Sequence, residues 1–163
     1  MALSASVREL WLANNKVNHN LLQHLTQDMM LAQTPGGGMT VAEHLAELAG
    51  TTEYWVTRLS GKDLPETPRL YEVVDDDVVA YTDLELFREG FPLSRQAVLE
   101  AAEAVPEGET GQVPHTGADA LILHMIVHDS HHRGQLLLAL KTNGFQLPSE
   151  EAMWLPWRNE PWP

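Results

Sequence analysis

In four stretches of this 163-residue chain the apolar residues recur every three or four positions, and breakers or capping signals separate each stretch from the next. The first runs from Ser4 or Ser6 to about Ala32, with Leu10, Val17 and Leu21 on one stripe and Trp11, Leu22, Leu25 and Met29 beside it. Pro35-Gly36-Gly37-Gly38 stops it, since proline has no amide proton to give and glycine loses the most backbone freedom in a helix. Thr40-Val41-Ala42-Glu43 then reads as a capping box, in which hydroxyl and carboxylate each satisfy a free backbone amide. It opens a second helix that Gly61 ends after about Ser60. Thr82-Asp83-Leu84-Glu85 repeats the pattern and opens a third to about Ala104, which Pro92 is expected to kink or interrupt. The fourth opens at Thr116 or Gly117 and closes at Asn143-Gly144, with Pro148 just beyond.

Between the second and third stretches, residues 62–81 hold Pro65, Pro68 and the acidic run Asp75-Asp76-Asp77, and read as loop with a short turn of helix. No strand-like alternation stands out. The expectation is therefore an all-α chain, one domain over residues 1–163, built as a four-helix bundle. The short link after the first helix predicts that it and the second are antiparallel neighbours. The link of ~20 residues after the second permits a crossover. Trp154, Trp157 and Trp162, set among Pro156, Pro161 and Pro163, predict a tail packed on the bundle as an apolar lid.

Composition narrows the chemistry. With no cysteine, the chain has no disulfide, thiolate ligand or cysteine nucleophile, so a transition metal must be held by nitrogen and oxygen. A net charge of −13 repels phosphate backbones and anionic lipid, which argues against nucleic-acid and membrane partners. No basic and apolar leader opens the sequence, and no apolar run approaches the roughly 20 residues that span a bilayer. A cytoplasmic location is expected.

Five of the eight histidines fall between His115 and His132. On the last helix Leu121, Met125, His128, His132, Gln135 and Ala139 follow a core-facing seam. His128 and His132, one turn apart, project the same way, with Cβ atoms roughly 5–6 Å apart, and can share an ion. His124 and His128 have the same spacing and compete for that role, whereas His131 lies about 100° around the helix. On the second helix His44 falls in the stripe Val41, Leu48, Thr51 and Trp55, where a buried imidazole needs partners for both nitrogens. Three neutral imidazoles would leave a coordination position open for water or substrate, as catalytic zinc sites do, and nickel, iron(II) or manganese accept the same donors. Glu47 and Glu53 read as surface carboxylates. His19, His24 and His115 read as surface or hydrogen-bonded residues, His24 being the one expected to reach inward.

The run His128-Asp129-Ser130-His131-His132-Arg133-Gly134-Gln135 resembles the H-x-x-x-H-R-G-Q signature of the DinB/YfiT-like family, and Thr40 to Leu48 resembles that family's single-histidine helix. Over nearly the whole chain, the resemblance implies a four-helix bundle with a crossover, frequent homodimers, and His44, His128 and His132 as ligands of a divalent metal, zinc or nickel first, iron or manganese next. It implies close helix packing at Gly134, a polar supporting role for Gln135, and a surface or interhelical ion pair for Arg133. It further implies a metal-dependent enzyme acting on a small molecule, an S-transferase or isomerase that uses a low-molecular-weight thiol in detoxification or stress response. The alternative is a metal-binding stress-response protein without catalysis.

Overall fold

The computed structural model describes residues 3–65, 67–75, 77–106, 111–149 and 151–154. Its long elements are α1 (Ala5–His24), α2 (Val41–Ser60), α3 (Leu84–Glu103) and α4 (Ala118–Thr142), with a hairpin of β1 (Tyr71–Val74) and β2 (Asp77–Ala80) between α2 and α3. The fold is mostly helical, and no helix among the described residues is long and apolar enough to cross a membrane.

Local chemistry sets most helix ends. Ser4 caps α1 by accepting from the Val7 amide. The capping box of α2 is formed in both directions, with the Thr40 amide 2.6 Å from Glu43 Oε2 and the Glu43 amide 3.2 Å from Thr40 Oγ1. Gly61 closes α2 at φ 65°, a left-handed conformation that glycine adopts without a Cβ clash. At α3 the cap is Asp83, accepting from the Glu85 amide, in place of the expected Thr82 box. Two further boundaries depart from expectation. α1 stops at His24 because Leu25 is extended, and a 3-10 turn (Gln27–Leu31) takes over, which still delivers Met30 to the core. α3 runs through Pro92 as one helix.

The hairpin corrects the loop expected over residues 62–81. It pairs Tyr71 with Ala80 and Val74 with Asp77, and Asp75 sits in its turn at φ 51°. Asp75 thus takes a turn conformation, and aspartate tolerates the left-handed region. The sequence carries no strand alternation here because Val73, Val74, Val78 and Val79 are all exposed, so there is no buried face to impose it.

Two apolar clusters fix the helix directions. One gathers Leu21, Leu22, Val41, Leu45, Phe87, Phe91, Leu136 and Leu140. The other gathers Val7, Trp11, Val56, Leu59, Val98, Leu99, Leu121 and Ile122. α2 and α3 both run from the first cluster to the second, and α1 and α4 run the opposite way. Residues 61–83 therefore cross back along the helices. α2 packs chiefly on α3 and α4, and so does α1. This corrects the expectation that α1 and α2 are neighbours: they oppose each other in direction but sit diagonally, because the long α3 and α4 each offer an apolar face to both.

Between the clusters lies a polar layer from all four long helices. Asp129, fully buried, accepts at Oδ2 from Asn14, from Asn18 at 2.9 Å and from Arg95. Arg95 also donates to Asn15 Oδ1, Leu48 O and Thr52 Oγ1, with its guanidinium carbon 3.9 Å above the Trp11 ring. Arg133 donates to Asn14 and Asn18, and so is a buried residue bonded to α1 and not a surface one. Of the tail, Met153 is buried and Asn20 Nδ2 donates to the carbonyls of Ala152 and Met153. Trp154 is partly exposed. Pro156, Trp157, Pro161, Trp162 and Pro163 lie outside the described residues.

Candidate metal centre

α2 and α4 pack closely, and each brings a histidine to their shared face beside the polar layer. His44 lies in the first turn of α2, fixed by the Thr40 cap, with its amide 3.0 Å from the Thr40 carbonyl. His132 faces it from α4, and the two Nδ1 atoms stand 2.9 Å apart. One turn earlier on α4, His128 presents its Nε2 3.1 Å from His132 Nε2. His132 therefore bridges the other two, one through each ring nitrogen.

Glu47 completes the group. It stands three residues after His44, one turn along α2, and receives a 2.6 Å hydrogen bond from Thr51 at Oε1, which is 3.8 Å from His128 Nε2. Donor atoms of Glu47, His128 and His132 all lie within 4.8 Å of one another. His44 adjoins this trio on the far side of the His132 ring, so binding one ion together with His128 and His132 requires a ring rotation. Glu47 is thus partly buried beside two histidines, where the sequence predicts a surface carboxylate. The signal that could have found it was its one-turn spacing from His44.

The electrostatics favour neutral ligands. Burial, with His128, His44 and His131 nearby, pushes the His132 pKa down to about 4. Burial also lowers His44, partly offset by the Glu43 and Glu47 charges, and lowers His128, partly offset by Asp129 and Glu47. Neutral imidazole is the form that binds metal. Among the described residues, His44 Nε2 and His128 Nδ1 are buried with no hydrogen-bond partner, a cost that a cation or a supporting acceptor would relieve.

The remaining sequence candidates lie elsewhere. His131 is exposed, its ring 5.3 Å from that of His132. His124 is exposed and pairs with His115. His19 is exposed, and so is His24, whose Nδ1 meets Asn20 O on its own helix at 2.8 Å; the inward reading of His24 is thereby corrected. A Cβ added at Gly134 would meet nothing within 4 Å, so close packing inside this chain does not explain that glycine. Gln135 is partly buried. Glu53 is half-buried, accepts from Ser94, and has its pKa raised chiefly by burial.

The model of the DinB family matches residues 3–161. The chain belongs to the DinB family. No curated protein matches it. Among solved structures it is similar to a DinB-like protein from Bacillus cereus ATCC 10987, at 17% identity and a TM-score of 0.67, over 91% of this chain and 99% of that one. At that identity the likeness extends to the fold.

Proposed function

We propose that this DinB-family chain, a four-helix bundle with a crossover connection, is a metal-dependent enzyme whose divalent ion is held by His44, His128 and His132, with Glu47 at the rim. The observation that carries the reading is the convergence of Glu47, His128 and His132 within 4.8 Å, with His44 against His132. The donor set fits a borderline ion such as zinc or nickel, with iron(II) or manganese, which accept more oxygen ligands, as the alternatives. The 3.1 Å between His128 and His132 nitrogens is close to the roughly 3.3 Å between two ligands at ~2.05 Å on one tetrahedral zinc.

A bound divalent ion would lower the pKa of a thiol or water at the open position. The chain's own part is to keep three imidazoles neutral at pH 7 by burial. Glu47, polarised by Thr51 and about one-third exposed, stands at the solvent side as an acceptor for the proton released. The substrate class is a small electrophile and the second substrate a low-molecular-weight thiol, as the family resemblance implies; the lack of cysteine in the chain is compatible with a thiol that arrives on a small molecule. The setting is cytoplasmic detoxification, with the protein as a homodimer.

The test is to purify the protein without an affinity tag, measure its metal, and follow loss of bacillithiol, mycothiol or glutathione with model electrophiles. Metal-dependent turnover with one thiol is expected, and it should fall at least tenfold in Glu47→Gln. Stoichiometric metal that raises the melting temperature while every thiol stays inert would replace the enzyme with a non-catalytic metal-binding protein.

A further inference from the structure

His115 and His124 form a second histidine pair outside the centre described above. His124 projects from the second turn of α4, and His115 comes from the segment just before that helix. Nε2 of His115 is 2.8 Å from Nδ1 of His124, with ring centroids 5.1 Å apart and planes tilted by 39°. The Trp55 ring stands edge-on to His115, at 6.1 Å between centroids. Nδ1 of His115 is buried and has no hydrogen-bond partner among the described residues.

Two imidazole nitrogens this close either share a proton or share a cation. Sharing a cation requires both nitrogens deprotonated, and burial together with its neighbour lowers the His115 pKa. For a copper(II) ion with adjacent nitrogens at ~2.0 Å and a right angle, the nitrogens stand about 2.8 Å apart, and for tetrahedral zinc about 3.3 Å. The observed separation falls at the short end of that range, so little ring movement is needed. His124 is exposed, which leaves the ion's remaining positions to water. The chain's −13 charge attracts cations to its surface. Opposing this, two ligands bind more weakly than three or four, so the site fills at higher free metal than the centre does.

We propose that His115 and His124 form a second, surface site for a nitrogen-preferring divalent ion, copper(II) or zinc, one helical turn from the buried centre. It is distinct from that centre because His124 and His128, though one turn apart, belong to separate close groups: His128 meets His132 and Glu47, and His124 meets His115.

The test is equilibrium dialysis of tag-free protein against zinc with metal counted per chain, repeated with His124→Gln, His115→Ala and His132→Ala. His124→Gln changes an exposed residue and is the variant that keeps the fold, verified by circular dichroism. Each of the two surface variants should bind one ion fewer than wild type, and His132→Ala should keep the ion that His124→Gln loses. Copper(II) should quench Trp55 fluorescence in wild type and in His132→Ala, and the quenched component should vanish in Trp55→Phe and in His124→Gln. Equal metal content in wild type and His124→Gln would overturn the site. Loss in His124→Gln with no loss in His115→Ala would also overturn it, by pairing His124 with His128. A centre that fails to bind leaves the comparison between wild type and His124→Gln intact, so the two readings fail separately.

Discussion

Replacing Asp129 tests the polar layer that sets α4, and with it His128 and His132, against the other helices. Its side chain is fully buried, and one oxygen takes hydrogen bonds from Asn14, Asn18 and Arg95. Arg95 is 2% exposed and Arg133 8%, so two enclosed guanidinium groups share this one enclosed carboxylate. Asp129→Ala removes the anion and leaves both cations buried, at a cost of about 3–5 kcal/mol. Asp129→Asn keeps the shape and one acceptor but loses the charge, and should cost about 2–3 kcal/mol, the range of a charged hydrogen bond. Domains of this size have about 5–15 kcal/mol in all, so the alanine variant should lower the urea midpoint by roughly 2 M. Arg95→Met combined with Asp129→Leu should be less destabilised than the sum of the single changes, because Arg95 is then not left buried without its direct counter-ion. A loss under about 1 kcal/mol for Asp129→Ala would refute the reasoning, since an enclosed charge cannot lose its counter-ion that cheaply.

Stability of the metal-free protein should depend on pH through His132. Its folded pKa of about 4 lies below the unfolded value of 6.5, so the unfolded chain binds more protons between those values. The stabilisation is complete above pH 6.5 and is lost as pH falls toward 4, by roughly 3 kcal/mol, and urea melts at pH 7.5, 5.5 and 4.5 measure it against His132→Gln. The same depression should let the protein retain metal at pH 5.5, where free imidazole is mostly protonated, as metal dialysis at that pH would show. Gly50→Ala places a Cβ 2.8 Å from the Tyr71 ring, and should displace that ring and speed amide exchange over residues 71–80, despite the helix propensity that alanine adds.

How far the sequence could be read depended on what each segment buries. The four long helices were legible from their apolar stripes and the breakers between them, and the α2 capping box was legible because both partners are three residues apart. The hairpin was not, since a two-stranded ribbon with both faces in solvent imposes no alternation. Nor was the early end of α1, where the 3-10 turn keeps Met30 buried and so preserves the stripe that suggested more helix. At the candidate centre, His44, His128 and His132 could be named from their stripes and from the family motif, and their side chains do adjoin. Glu47 carries only the weaker signal of its one-turn spacing from His44, because its role also depends on how α2 is rotated against α4. The partners of Arg133 and Asp129 were equally hidden, since Asn14 and Asn18 are more than 100 residues away in sequence and nothing local marks them as buried.

Whether His132 and its neighbours hold a metal is read most directly in the His124→Gln background, which isolates the buried centre from the surface pair, by counting zinc bound per chain after equilibrium dialysis, with and without His132→Ala. One ion per chain, lost with His132, is expected. No stoichiometric ion, or one that survives the loss of His132, would mean that His132 is not a ligand.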